Sequence, residues 1–535
     1  MARSKRKVSP HPTGEQLPVE AASLPAPVTV DSWAGPVRVE WDVTAPLTPF
    51  GQLPFFIEFL KVSGLLDAWI ADCPLDYTSP NAPPKRDVLG TLLLSVLAGH
   101  KRYAHITALR ADSVLAELIG MSRVMGSDAV RRGLQAIDAE KGAAWLRSHL
   151  DYCVAPLLGE PWIMDIDTTI KPLYGHQEGA VVGYNPKKPG RPSHAYHTYM
   201  IANLRLVLDV DVMAGNQHTF NHAAPELWAL LERIGRDRWP QMLRGDAGIG
   251  SDAVMRECEA RKLPYLFKLR VTKNVRTALE RAMSEGFWLK AGAGWEGKEE
   301  RLKLMGWEKA RRVVLLRRKL REPIAISEVE ANGQLLLSFV EVSQDGAART
   351  KGKRRSGKGK AQVQLYEYAA LVTSLDHEIL SLGQLYRDRA DCENAFDELK
   401  NQWGWAGYTT HDLKRCRLTA RTIALVYNWW SLFVRLAEPG EHLEAITSRP
   451  LLLHSIGALA KHARGKLLRI ASSHGEARWA AAALAGIAGF LRELMTGAQQ
   501  LNPLQRWYRI LSHALRHFLK GRILRPPPRL ENAAA

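Results

Sequence analysis

Cysteine is scarce in this chain, and none of it is spaced for metal or disulfide work. The five residues, at 73, 153, 258, 392 and 416, are scattered, with no C-x2-C pair and no paired histidines. That pattern argues against a zinc module and a disulfide framework, and points to a reducing compartment. Long apolar runs are missing too. No stretch approaches the roughly 18 residues of a spanning helix; the nearest, Ala480 to Leu491, reads as a packed helix. The basic start Met1-Ala-Arg-Ser-Lys-Arg-Lys7 is followed by no apolar segment of the kind a secretory signal needs. A soluble cytoplasmic protein with no membrane partner is expected.

What the chain has in excess is positive charge. Its 535 residues carry a net charge of +18 and a pI near 9.7, which implies a polyanionic partner and more than one domain. Six phosphate contacts would give a log–log salt slope near about −5.

Six regions are expected. Residues 1–37, rich in Pro and Ser, read as a mobile basic tail. Residues 38–157 read as a helical region, with helices over Phe55 to Ile70, Lys85 to Gly99, Ile106 to Ile119 and Ser127 to Leu150. Within it Ser127 reads as an N-cap and Arg131 and Arg132 project from the following turns. Two readings stay open for those arginines: the second helix of a helix-turn-helix in a DNA groove, or plain helical packing.

From 158 to 270 the order is strand, strand pair, helix, strand, helix, strand, which is that of a ribonuclease-H-like α/β fold. Residues 271–370 turn to alternating runs and read as a mostly β insertion. It contains Arg349 to Lys360, seven cations in twelve residues with no acid. Gly content makes that loop flexible and its charge suits phosphate, with Lys351, Lys353, Arg354 and Arg355 as the candidate contacts. Residues 371–437 complete the core. Residues 438–535 form a basic helical region in which Arg506, Arg509 and Arg516 alternate with Trp507, Tyr508 and Phe518, suiting either a DNA backbone or a partner helix.

The most informative stretch is Tyr386-Arg-Asp-Arg389-Ala-Asp-Cys-Glu393-Asn-Ala-Phe-Asp-Glu-Leu-Lys400. At about 100° per residue, Tyr386, Arg389, Glu393 and Lys400 fall within roughly 60° of arc on one helix. Leu385, Cys392, Phe396 and Leu399 form an apolar strip beside it, and Asp388, Asp391, Asn394 and Glu398 a solvated side. One carboxylate in a row with two cations and a phenol suits a metal site that also grips phosphates. An exposed face with ordinary ion pairs fits the spacing equally well.

The pattern Y-x2-R-x3-E-x6-K resembles the YREK signature of bacterial insertion-sequence transposases of the DDE class. Two further segments carry the resemblance. Asp167, at the end of the strand-like Trp162-Ile-Met-Asp-Ile-Asp167-Thr-Thr, matches the family's first Asp; Asp165 points to the same face and is its rival. Asp246, in Arg244-Gly-Asp246-Ala-Gly, resembles the segment that carries the second Asp, with a turn Asp or helix cap as the other reading. Asp209 and Asp211 read as edge or supporting residues. Tyr174 to Ser193, with Lys187, Lys188 and Arg191, looks like the Gly/Pro/Lys segment that follows the first catalytic strand in one branch of these enzymes. The likeness runs from about 160 to about 440.

The resemblance implies a cut-and-paste transposase of the hairpin-forming branch. Asp167, Asp246 and Glu393 would bind two Mg2+ ions, with Mn2+ able to substitute. Double-stranded DNA, as terminal repeats and target, would be the partner of a homodimer, in bacterial cytoplasm near the nucleoid. Two rivals stand beside it: a ribonuclease-H-like nuclease or resolvase that cuts without joining, and an inactive DNA-binding descendant. A Trp that takes up a flipped base would come from Trp288, Trp295, Trp307, Trp403 or Trp405, each equally suited to a core.

Overall fold

The computed structural model describes residues 26–42, 44–185, 188–217, 219–319, 366–462, 465–471, 473–497 and 500–526, with the backbone of 324–325 and 362–363. At its centre, β1 (Ile163–Pro172) pairs antiparallel with β2 (Pro192–Ile201), and β2 pairs antiparallel with β3 (Leu206–Ala214). On the other side of β1, β4 (Met242–Gly245) and β5 (Tyr265–Lys268) run parallel to it. The helices Phe220–Ile234 and Asp252–Ala260 make the crossovers. Met164, Ile166, Leu243 and Phe267 are fully buried, as expected for strands covered on both faces. The order β3-β2-β1-β4-β5 is the ribonuclease-H-like arrangement.

Among the described residues, four strands of the insertion join the central sheet, and Ile324–Ala325 pairs with Gln362–Val363 apart from it. The four, β6 (Leu289–Gly292), β7 (Trp295–Leu302), β8 (Arg311–Lys319) and β9 (Tyr366–Thr373), extend that sheet, β9 lying antiparallel to β5. A helix, Lys273–Ser284, occurs where mostly β structure is expected; its buried Val275, Ala278, Leu279 and Ala282 recur at helical spacing. Lys187 and the loop carrying Lys351, Lys353, Arg354 and Arg355 lie outside the described residues.

Helices from both ends of the chain pack around Leu413–Ala437, which is buried from Leu418 to Leu436. Phe56 meets the edges of Trp430 and Phe433 at 5.3 Å between centroids, and Phe59 meets Trp507 at 6.2 Å. The two terminal helical regions therefore share one core.

Several expected elements change. The helix over 55–70 is broken by Gly64, whose φ of +74° suits a residue without a Cβ. The helix over 127–150 is two helices, Ser127–Ala136 and Ala139–Val154, because Asp138 caps the second by accepting from the amides of Glu140 and Lys141. The N-cap of the first is Gly126, not Ser127. Residues 28–39, placed in the tail up to 37 and in the helical region from 38, form a hairpin of Val28–Ser32 and Gly35–Val39. The C-terminal region contains a hairpin of Gly457–His462 and Gly465–Ile470 joined to Leu47–Thr48, so it is not wholly helical. There Arg506 donates to the Val62 carbonyl and Trp507 is fully buried, which is packing between the chain's own helices. No described helix is long and apolar enough to cross a membrane.

Candidate active site

Asp167 and Asp246 come together through strand register. Ile166 of β1 lies opposite Gly245 of β4, so the next residues, Asp167 and Asp246, sit side by side on strands about 4.8 Å apart, Asp246 just past the end of β4 and Asp167 midway along β1, which continues to Pro172 instead of ending at Asp167 as expected. This is where the strand order reverses, β2 and β3 lying to one side of β1 and β4 and β5 to the other, which is the usual ligand crevice of an open α/β sheet. Asp246 accepts from the Gly248 amide at 2.8 Å, and Asp167 from the Thr168 amide at 2.8 Å, which aims both carboxylates.

Glu393 arrives from the helix Ala390–Asn401, which lays it over the same crevice. Asp167, Asp246, Glu393, Lys268, Arg389 and Lys400 line one cleft of about 410 Å3. Burial pushes the Asp167 carboxyl up to about 6 from the ordinary carboxylate range; the Arg389 guanidinium opposes that shift and Asp246 adds to it.

Tyr386 to Lys400 is not one helix. The first part ends at Arg387 and the second begins at Ala390. The Arg244 guanidinium donates to the Leu385 carbonyl, which the Arg389 amide would take in an unbroken helix. That amide bonds the Tyr386 carbonyl instead, a 3₁₀-like step. Two residues at about 120° in place of 100° turn the second helix by roughly 40° relative to the first. Tyr386 consequently leaves the expected arc. It packs on the smaller core cluster with its ring 5.8 Å from the Lys268 ammonium, and does not line the cleft.

Arg389 is also not displayed to solvent. It is buried, 2.6 Å from Glu393 Oε1 and 3.6 Å from Asp167 Oδ1, and so lies between the two carboxylates. Among the described residues, no three His, Cys, Asp or Glu side chains stand close enough to hold a metal ion as they are. The donor chemistry nevertheless suits a hard cation, since all three acids offer oxygen. Glu393, 60% exposed, has room to turn away from Arg389.

Asp165, the rival of Asp167, is committed elsewhere. Its two oxygens take the Arg244 Nε and Nη2 donors at 2.5 and 2.6 Å, both side chains being almost wholly buried. This pair ties β1 to β4 and, through Leu385, to the helix before Glu393. Asp209 and Asp211 pair with Arg421, and Asp209 also with Arg147, joining edge strand β3 to flanking helices. Glu398, placed on the solvated side, is buried and accepts from Trp403, His442 and the Ala445 amide. Trp295, Trp307, Trp403 and Trp405 are buried, and Trp288 packs partly against the core.

Two cleft residues escape a reading of the sequence. Lys268 ends β5 beside Asp246, and only the sheet order reveals that neighbourhood. Asp397 lines the cleft one turn after Glu393, a spacing that helical periodicity displays.

The fold is thus a ribonuclease-H-like sheet with an acidic crevice rimmed by cations at its switch point. A match to the family described as Transposase DDE domain group 1 spans residues 82–490, well over half of the chain, and the protein belongs to that family. The match reaches further to either side than the resemblance read from the sequence motifs. No curated protein matches. The chain is similar to a piggyBac transposase solved by cryo-EM as a synaptic complex with hairpin DNA, at 10% identity and a TM-score of 0.35, over 91% of this chain and 87% of that one.

Proposed function

We propose that this transposase cuts and joins DNA at the ends of a mobile element by phosphoryl transfer, with Asp167, Asp246 and Glu393 holding two Mg2+ ions or Mn2+ in their place. The observation that carries the reading is that three carboxylates from two strands and one helix line a single cleft with Lys268, Arg389 and Lys400. The ions, when bound, would activate the attacking oxygen and stabilise the leaving one.

The chain's own residues have separable tasks. Arg389 offsets the repulsion of the acids before metal binds, which is roughly 4 kcal/mol for two carboxylates at 4 Å and an effective dielectric near 20. Lys268 and Lys400 stand at the cleft wall, where they would hold phosphates on either side of the bond being cut. Lys400 lies seven residues from Glu393, about 10 Å along the helix, more than a nucleotide step. It is therefore suited to a strand end awaiting the next reaction. Membership of the YREK branch, a bacterial source, a hairpin intermediate and a homodimer on paired ends complete the proposal.

A strand-transfer assay on element-end DNA with Mg2+ tests it. Asp167→Asn, Asp246→Asn and Glu393→Gln are each expected to abolish cleavage while leaving end binding nearly intact. Substantial cleavage by any of them removes that residue from the site. Cutting without joining by the wild type returns the reading to a nuclease, and binding with neither to an inactive descendant. Mass photometry with end DNA should show two protomers on two duplexes.

A further inference from the structure

Beyond the acidic crevice, a second pocket of about 580 Å3 lies where β1 runs out at Pro172. Three distant segments build it: Arg102 and Arg131 from the N-terminal helices, Tyr174 from the loop after β1, and Gly407 and Tyr408 from the loop after the Glu393 helix. No carboxylate lines it. Arg102 is exposed and, among the described residues, has no ion-pair partner; Arg131 reaches only Asp128, at 3.2 Å on the open surface. Tyr174 carries Lys188 and Arg191 over its ring, 5.0 and 4.8 Å from the centroid. Two arginines therefore line a pocket without a carboxylate, and two further cations stand over the ring of a third lining residue.

An independent observation lies behind the lining, one hydrogen bond from Gly407. Lys171 of β1 is buried, and its ammonium donates to the Gly407 carbonyl and, at 3.2 Å, to the Tyr196 hydroxyl. Among the described residues no carboxylate pairs with it. A buried cation without a counter-ion is costly, and an anion in the pocket above would offset that cost. The lining is closely packed at Gly407. A Cβ on Gly407 would sit 1.7 Å from the Lys101 carbonyl oxygen, and Tyr408 is held at a φ of +48°, which is the kind of local strain that clusters at binding sites.

We propose that this pocket is a second phosphate site for the DNA strand that passes through the catalytic crevice, with Arg102 and Arg131 as its ligands and the Lys171 charge behind Gly407. The inference rests on the transposase reading and adds a contact point to it. Pro172 is five residues from Asp167, about 16 Å along a strand, so the phosphate held would lie some five base pairs from the bond being cut, at 3.4 Å each. It also gives Arg131 a role different from groove reading: the pocket grips backbone and carries no base preference.

The test is a fluorescence-anisotropy titration of a 30-base-pair duplex of arbitrary sequence over a series of salt concentrations. The proteins are the full-length wild type, the double variant Arg102→Ala/Arg131→Ala, and Lys171→Met. The double variant should lose about 1.8 from the log–log salt slope, equivalent to about sixtyfold in affinity at 0.1 M relative to 1 M salt. Lys171→Met should weaken binding at low salt with an unaltered circular dichroism spectrum. An unchanged slope in the double variant, with wild-type binding intact, overturns the pocket and leaves the transposase reading standing. A wild type that does not bind the duplex overturns both, and its own curve shows which has happened.

Discussion

Asp165 and Asp167 lie two residues apart on one strand, and neutralising them should move stability in opposite directions. Asp165 and Arg244 form a paired fork at 2.5 and 2.6 Å with 1% and 2% of their side chains exposed, so solvent screening takes almost nothing from the interaction. Asp165→Asn leaves a buried guanidinium without its counter-charge, a loss of about 3–5 kcal/mol. Asp167 is the reverse case. Its carboxyl is raised to about 6 against an ordinary value of 3.8, so the folded state resists ionisation. That contribution is absent below about pH 4 and fully present, as a destabilisation of about 3 kcal/mol at 1.36 kcal/mol per unit, once the pH has passed 6. Asp167→Asn should therefore match the wild type at pH 4 and exceed it at pH 7.5. Urea denaturation at both pH values, followed by tryptophan fluorescence, reads both effects. Replacing the pair together by Asp165→Leu/Arg244→Met should cost less than Asp165→Asn alone. Equal shifts for Asp165→Asn and Asp167→Asn, or a neutral Asp165→Asn, would refute the assignment of one to the frame and the other to the crevice.

Arg389→Ala should impair the first nick as well as strand transfer, since the guanidinium sits between Asp167 and Glu393, and should move the acid limb of the pH–rate profile upward; an unmoved limb counts against it. Lys400→Ala should slow strand transfer several-fold more than initial nicking, as time courses on intact and pre-nicked DNA would show. Gly407→Ala should destabilise by about 1–3 kcal/mol or more, because the backbones of Gly407 and Lys101 cannot both stay where they are; a wild-type melting temperature would show that they can part at little cost. Deleting 349–360 should weaken DNA binding evenly across sequences and flatten its salt dependence, measured by titration at several salt concentrations.

Much of the site is legible in the sequence because its information is local. The alternation around Asp167 identifies a strand that carries a carboxylate, though not that the strand runs on to Pro172; Arg244-Gly-Asp246 identifies a strand ending in a turn, and three- and four-residue spacing puts Glu393 and Lys400 on one helix face. The element order across 158–270 likewise carries the core topology. Long-range competition decided the rest. What sets Asp165 apart from Asp167 in the fold is that it meets Arg244, a partner 79 residues away. The same arginine drew off the Leu385 carbonyl, broke the signature helix and took Tyr386 out of the row, which no periodicity reveals because the competing donor sits on another strand. Glu398 reads as solvated until the segment at 442–445 folds over it, and Lys268 becomes a neighbour of Asp246 only once β5 lies beside β4. Spacing along the chain sets which side chains share a face; what that face meets, and which charges are buried when it does, is settled by tertiary packing alone.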